Sequence, residues 1–494
     1  MSEPGAKSAL ARDPLELERG LARQLTARQL AMIAIGGAIG TGLFLGSSLA
    51  VRLAGPSVIL TYGIGALIAL LLMSALTEMA VAQPTAGSFG VYADLYVSRW
   101  AGFAVRYTYW AAWCIAIGSE AIAVGIYCRW WIPSSPAWLW VVLFSGLLLY
   151  VNLRNVGSFG EFEYWFSMIK VVAIVAFIIF GVAVIAGGAH PGSAVGFKNY
   201  TAHGGFFPNG AWGMWMALAF VIFGYIGSEV IAVAAGEAKD PATAIPKAMR
   251  SMVARLIFFY LGSMAVLLAI VPWNQIQPGS DVTASPFVRV FELVKVPGAA
   301  HLVNFVVLTA ALSSLNCNLY LVARMMFSLA RAGYAPAAFG RVSARGTPVP
   351  ALLISAAGML VATAIAALSP GNAYVILLGV SLFGGLFVWG TIFVTHLFFR
   401  TKWIAAGHPR LPVSMPGYPY TSILGAALLL GIMVTTWRVP GMRDTLLAGL
   451  PWIAFISAVY LLWFRRHRQS TPVEAVSSPP NVEPLPPADV KERS

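Results

Sequence analysis

The sequence predicts an all-α integral membrane protein with twelve transmembrane helices. Three observations carry this expectation. Of its 494 residues, 59% are hydrophobic and only 10% charged, and the mean hydropathy is +0.76. A soluble domain is about half apolar and about 25% charged, so a soluble enzyme, a nucleic-acid binder and a disordered scaffold are all excluded by composition. Apolar runs near the ~20 residues that cross a bilayer recur along the chain, and no segment shows the alternation over about ten residues that marks a membrane β-barrel.

The runs lie at 29–51, 56–82, 101–131, 137–153, 164–187, 211–235, 252–272, 300–330, 349–368, 372–399, 418–437 and 445–464. Several exceed the spanning minimum, which permits tilt. Residues 1–28 are polar and mixed in charge, with no cleavable signal pattern, and read as a cytoplasmic segment. Segments 83–100 and 236–251 read as short interfacial helices, and 188–210 and 273–299 as the longest outer loops. The tail 469–494 holds six prolines and little aliphatic bulk, so it is expected to stay disordered.

Orientation follows from Lys and Arg. With the N-terminus inside, and residues near span ends counted with the adjoining segment, 24 of the 32 fall on the inner side and seven on the outer, leaving Lys170 deep within a span. That bias places both termini in the cytoplasm and explains most of the +13 formal charge as a topology signal. The cysteines Cys114, Cys128 and Cys317 sit in apolar runs without metal or disulfide spacing.

Two spans carry glycine interruptions near their middles. The first contains Gly36-Gly37-Ala38-Ile39-Gly40-Thr41-Gly42, and the sixth Phe223-Gly224-Tyr225-Ile226-Gly227-Ser228-Glu229. Close helix packing through small residues is the plain reading of the first alone. A matched pair in corresponding halves points instead to a transporter binding site. Unwinding frees amides at one half-helix start and carbonyls at the other half-helix end, which suits a zwitterion. Breaks five spans apart imply a repeat of five helices with the second copy inverted. The predicted architecture is therefore a 5+5 inverted-repeat transport core over 29–400, with discontinuous helices 1 and 6. Helices 11 and 12 follow within 401–468.

Several stretches resemble bacterial amino acid permeases of the amino acid transporter family in the amino acid–polyamine–organocation superfamily. They are Gly36 to Gly46, Pro84 to Phe89, Glu161 to Phe166 leading to Lys170, Phe223 to Glu229, Gly236 to Pro241, and Ile245-Pro246-Lys247. The resemblance runs from about Leu21 to Arg468 and leaves the substrate open. It implies that the substrate carboxylate meets the amides of Ile39, Gly40, Thr41 and Gly42. The amino group would meet carbonyls of Phe223, Gly224 and Ile226, with the rings of Phe223 and Tyr225 helping to close the site. It also implies that Lys170 takes the place of the sodium ion of sodium-coupled relatives, which favours proton coupling or exchange.

Charges at membrane depth are costly and point to function. Lys170 either couples transport or bridges unwound carbonyls as a structural group, and Ser313 and Ser314 resemble hydroxyl ligands of a sodium site. Glu120, inside the third span, is a candidate proton carrier, a partner for a substrate amine, or a simple interhelical hydrogen bonder. Glu78 and Glu229, nearer the span ends, read as gate or packing residues. Third-span positions near Ile117 and Gly118 are expected to line the pocket. The histidines lie almost entirely in loops or at ends. No phosphate-binding loop, nucleophile elbow or paired-carboxylate site appears, so neither an enzyme nor a cofactor or metal is predicted.

The resulting expectation is a secondary transporter that imports L-α-amino acids, neutral ones by the character of the pocket, across the bacterial inner membrane with protons. An exchanger on the same fold and a non-transporting amino acid sensor remain the alternatives. Nucleic acid is not an expected partner; the lipid bilayer is, and the sequence leaves oligomeric state open.

Overall fold

The computed structural model describes residues 20–464, except Leu45, 188–195, 278–284, 295–297, 369–372, 409–410 and 412. The expected tail 469–494 lies outside the described residues, as do the first nineteen. The described chain is helical, its one β feature being an isolated parallel bridge between Leu25 and Ala238.

The helices begin with α1 (Ala27–Ala38), α2 (Thr41–Phe44), α3 (Gly46–Ala54), α4 (Val58–Ala82), α5 (Ser88–Tyr96) and α6 (Arg99–Arg129). They continue with α7 (Ala137–Arg154), α8 (Val156–Ile185), α9 (Gly210–Tyr225), α10 (Val230–Ala234), α11 (Pro241–Ile270) and α12 (Pro286–Val294). The last are α13 (Ala299–Arg331), α14 (Val349–Leu368), α15 (Ala373–Ala405), α16 (Tyr420–Thr435) and α17 (Asp444–Val459).

Among the described residues, ten helical stretches are long and apolar enough to cross a bilayer. The first two expected spans appear as α1 followed by a 41-residue stretch from Gly42 to Ala82. The glycine break cuts the first span so short that its α1 half has only 12 residues. The ninth expected span corresponds to the 20-residue helix α14.

Two segments differ from expectation. Residues 236–251 are not a separate interfacial helix: after a 3-10 turn at Ala235–Glu237, α11 begins at Pro241 and runs unbroken into the apolar stretch. Pro241 stands at the first helical position, where a missing N–H costs nothing, and the helix continues through Pro246. The loop 273–299 contains α12, whose Phe287 ring packs 5.0 Å from Phe44 and 4.9 Å from Phe177. By contrast, 83–100 does hold a short helix, α5.

The molecular centre is formed by α6 and α13, the most extensively packed pair. They run antiparallel in one register. Arg106 Nε donates to Ser328 Oγ at 2.8 Å, Ser314 Oγ to Glu120 Oε1 at 3.1 Å, and Asn304 Nδ2 to the Tyr127 carbonyl at 2.9 Å. At the other extreme, α7 leaves Trp138, Val142 and Leu143 exposed, an apolar face for which lipid is the natural solvent.

The end of the bundle that carries Leu25 is cross-linked by hydrogen bonds and ion pairs. Leu25 exchanges backbone hydrogen bonds with Glu237 and Lys239, both at 3.0 Å. A Thr26–Gln29 capping box then starts α1. Glu237 is held by Arg324 through two hydrogen bonds of 2.8 and 3.1 Å and by the Tyr320 hydroxyl at 2.8 Å. Beside it, Arg106 pairs with Asp94 at 3.2 Å and Tyr334 donates to the same carboxylate at 3.1 Å. Burial pushes the Asp94 carboxyl above its ordinary range despite the pull of Arg106.

Candidate functional site

The two glycine runs fold as helix breaks that meet at the centre. Helix α1 ends at Ala38, where Ile39 leaves helical geometry (φ −88°, ψ 88°), and α2 resumes at Thr41. Helix α9 ends at Tyr225, Ile226 is extended (φ −66°, ψ 138°), and Gly227 adopts φ +106°. That left-handed backbone belongs to glycine, which lacks the clashing Cβ. The breaks touch backbone to backbone: a Cβ on Gly37 would stand 2.8 Å from the Gly227 carbonyl oxygen, and one on Gly227 would collide with the Gly37 carbonyl.

A cavity opens beside this meeting point. The breaks supply Gly37, Gly40, Gly42, Phe223, Gly224 and Ile226; α6 supplies Trp113, Ala116 and Glu120; α13 supplies Ser314 and Asn318. Glu120 abuts the first break, since a Cβ on Gly40 would lie 2.9 Å from its Oε1. A wall of mostly apolar groups with a few convergent polar ones is the usual form of a small-molecule site.

Of the residues singled out from the sequence, Gly40, Gly42, Glu120, Phe223, Gly224 and Ile226 line the cavity, whereas Ile39, Tyr225, Lys170, Glu78 and Glu229 do not. Glu120 and Phe223 line the cavity with the glycines of both breaks. Tyr225 does not: its hydroxyl donates to the Tyr62 carbonyl at 3.0 Å, and its ring packs against Tyr62 and Tyr260 behind the break. Two positions apart and so separated by about 200° on a helix, Phe223 and Tyr225 cannot share a face. Ile117 and Gly118 are not among the lining residues themselves; the third-span positions near them that line the cavity are Trp113, Ala116 and Glu120, at helical spacing.

Lys170 sits behind the first break, fully buried. Its Nζ donates to the Gly36 and Ile39 carbonyls at 2.9 Å each and to Ser313 Oγ at 2.8 Å. Two carbonyls freed by the break and one hydroxyl therefore surround a single positive charge. The charge is balanced by Glu163, a residue that sequence reasoning noted only as part of a motif. Glu163 is 0% exposed and accepts hydrogen bonds from Ser313, from Ser167 at 3.1 Å and from Asn316 at 3.0 Å. The signal was present in the sequence, because Glu163, Ser167 and Lys170 are spaced to share one face of α8.

Glu229 holds the second break. Its Oε2 accepts from the Gly227 amide at 2.9 Å and from Trp389 Nε1 at 3.1 Å, and its Oε1 accepts from the Tyr109 hydroxyl at 2.8 Å. Glu78 lies away from the cavity. Its Oε2 is 3.1 Å from His396 Nε2, 3.5 Å from Arg400 and 2.8 Å from the Met415 amide, joining α4 to α15 and to the segment before α16. His396 is thus a buried span residue, whereas His203, His301 and His408 are not buried. A second residue missed in the sequence is Tyr260, whose hydroxyl lies 3.0 Å from the Ala38 carbonyl and 2.6 Å from that of Gly224. An aromatic in an apolar run carries no mark of such a role.

The model of the amino acid permease family matches residues 29–473. The chain is similar to the gamma-aminobutyric acid permease of Bacillus subtilis, 39% identical over 454 residues, covering 92% of this chain and 96% of that protein. It is also 37% identical to an uncharacterized amino acid permease, YtnA, and 36% identical to a probable threonine/serine transporter, YbxG, of the same organism. These alignments cover 90% and 91% of this chain, and 95% of each relative.

Proposed function

The chain belongs to the amino acid permease family, and from that premise we propose that it imports neutral L-α-amino acids by proton symport with alternating access. It is a multi-pass membrane protein whose relatives are amino acid permeases and transporters. The finer reading places it in the bacterial inner membrane with twelve spans, both termini cytoplasmic, and a 5+5 core over 29–400 followed by two helices within 401–468. Segment 1–28 would precede the core in the cytoplasm, and 469–494 would trail it there.

The observation that carries the reading is the contact of the two breaks beside a cavity lined by Glu120. In this site the substrate carboxylate would dock on the amides of Ile39, Gly40, Thr41 and Gly42. Its amino group would dock on carbonyls of Phe223, Gly224 and Ile226, with Phe223 as the covering ring. Since Glu120 abuts Gly40, an ionised Glu120 would repel a carboxylate docked there. A proton on Glu120 removes that repulsion, so proton and substrate favour each other's binding by the same free energy. Lys170 already places a cation among the Gly36 and Ile39 carbonyls and Ser313 Oγ, which supports protons rather than sodium as the driving ion.

The test is uptake of a labelled L-amino acid mixture by proteoliposomes under an inward proton gradient. Accumulation that an uncoupler abolishes supports symport and identifies the substrates. Entry only into vesicles preloaded with amino acid replaces symport with exchange. Absence of entry in both formats returns the molecule to the sensor class.

A further inference from the structure

The cavity has a second polar end that neither helix break accounts for. Trp113 is buried to 3% exposure and lines the cavity, yet its indole N–H has no hydrogen-bond acceptor among the described residues. Its ring is held by stacking on Tyr109, with centroids 4.5 Å apart and planes 21° from parallel. Asn318, at 6% exposure, lines the same cavity, and none of the side-chain hydrogen bonds seen among the described residues involves its amide. Buried donors and amides of this kind are normally satisfied, and leaving them empty is costly.

The helix register brings the two side chains to one end. Glu120 pairs with Ser314 and Arg106 with Ser328, so in this antiparallel packing Asn318 falls beside Ala116, one turn from the Glu120–Ser314 pair. Trp113 follows on the same face of α6, nearly a turn further on. The unpartnered groups therefore begin about 5 Å, one helical pitch, from the carboxylate end of the site. That is the reach of an amino acid side chain extended from its α-carbon.

Resting on the transport function proposed above, we infer that Trp113 and Asn318 form a side-chain subsite for a carboxamide, so that the preferred substrates are asparagine- and glutamine-like L-amino acids. Trp113 N–H is a donor only, and the Asn318 amide both donates and accepts. A carboxamide offers a carbonyl to the first and a matching donor–acceptor pair to the second. An aliphatic side chain of equal size would leave both protein groups unpaired, which a site built for hydrogen bonding discriminates against strongly.

The experiment measures uptake of labelled L-glutamine, L-asparagine, L-leucine and L-methionine by proteoliposomes holding the full-length protein, under a proton gradient and also in counterflow. The expected result is a kcat/KM for a carboxamide substrate at least about tenfold above that for leucine or methionine. Asn318→Leu should shrink or reverse that ratio, and Trp113→Phe, which keeps an aromatic ring but loses the indole N–H together with the five-membered part of the ring, should lower the carboxamide kcat/KM by a larger factor than the leucine kcat/KM. Preference for leucine or methionine in the unmodified protein overturns the inference, as does a ratio that neither variant moves. Uptake of leucine or methionine without any carboxamide uptake overturns the subsite but leaves the transporter standing. No uptake of any amino acid in either format removes the transport function itself.

Discussion

The ammonium of Lys170 donates to the carbonyl of Ile39 at 2.9 Å, across 131 residues of sequence. That carbonyl exists as a free acceptor only because α1 stops there. The break and the lysine are therefore one structural unit, which also includes Gly36, Ser313 and Glu163.

Removing one member should expose the others. Lys170→Met leaves the Glu163 carboxylate buried without its balancing charge, a loss on the order of 3–5 kcal/mol. Reduced thermal stability of the purified protein and loss of uptake are expected together. The double variant Lys170→Met with Glu163→Gln should recover part of the stability without recovering transport. A melting temperature unchanged in the single variant would contradict the pairing.

Glu120→Gln should abolish gradient-driven accumulation while substrate binding and counterflow continue. Glutamine keeps an acceptor near Ser314 Oγ, whose present bond is 3.1 Å, but it cannot exchange a proton. Full accumulation by this variant would remove Glu120 from coupling and return it to a structural hydrogen bond.

Gly227→Ala should inactivate the protein more than it unfolds it. The positive φ of +106° disfavours any Cβ by about 1–3 kcal/mol, and the added methyl would push against the Gly37 carbonyl. Thermal melting and uptake measured on the same preparation separate the two effects. Wild-type transport would show that the breaks need not touch.

Tyr260→Phe deletes a hydroxyl within reach of the Ala38 and Gly224 carbonyls, one on each break, at about 1 kcal/mol for the hydrogen bond. Slower transport with nearly unchanged stability is the expected outcome, read from uptake rates beside melting curves. If the Gly224 carbonyl receives the substrate amine, the variant should also shift KM, because that carbonyl loses its competing donor.

The interruptions were legible in the chain because glycine in a membrane helix is a local signature. Gly36 to Gly42 and Gly224 to Gly227 announce themselves without any partner. Lys170 and Glu120 were legible for a similar reason, since a charge in an apolar run stands out alone. Glu163 was readable only through its spacing to Lys170, and Tyr260 not at all, because its importance lies in two carbonyls belonging to other helices.

The sequence by itself determined a membrane-spanning helical protein, the two breaks, and the charged groups at depth. Each of these follows from the free energy of placing particular side chains and backbone groups in lipid, a property of local composition. Tertiary structure alone decided which side of each helix faces the cavity. It placed Phe223 in and Tyr225 out, chose Trp113 and Ala116 over Ile117 and Gly118, and set Asn318 beside Ala116. In a helix that is apolar all round, hydrophobicity does not mark a face. Only the antiparallel register of α6 on α13, set by contacts between residues some two hundred positions apart, could decide it.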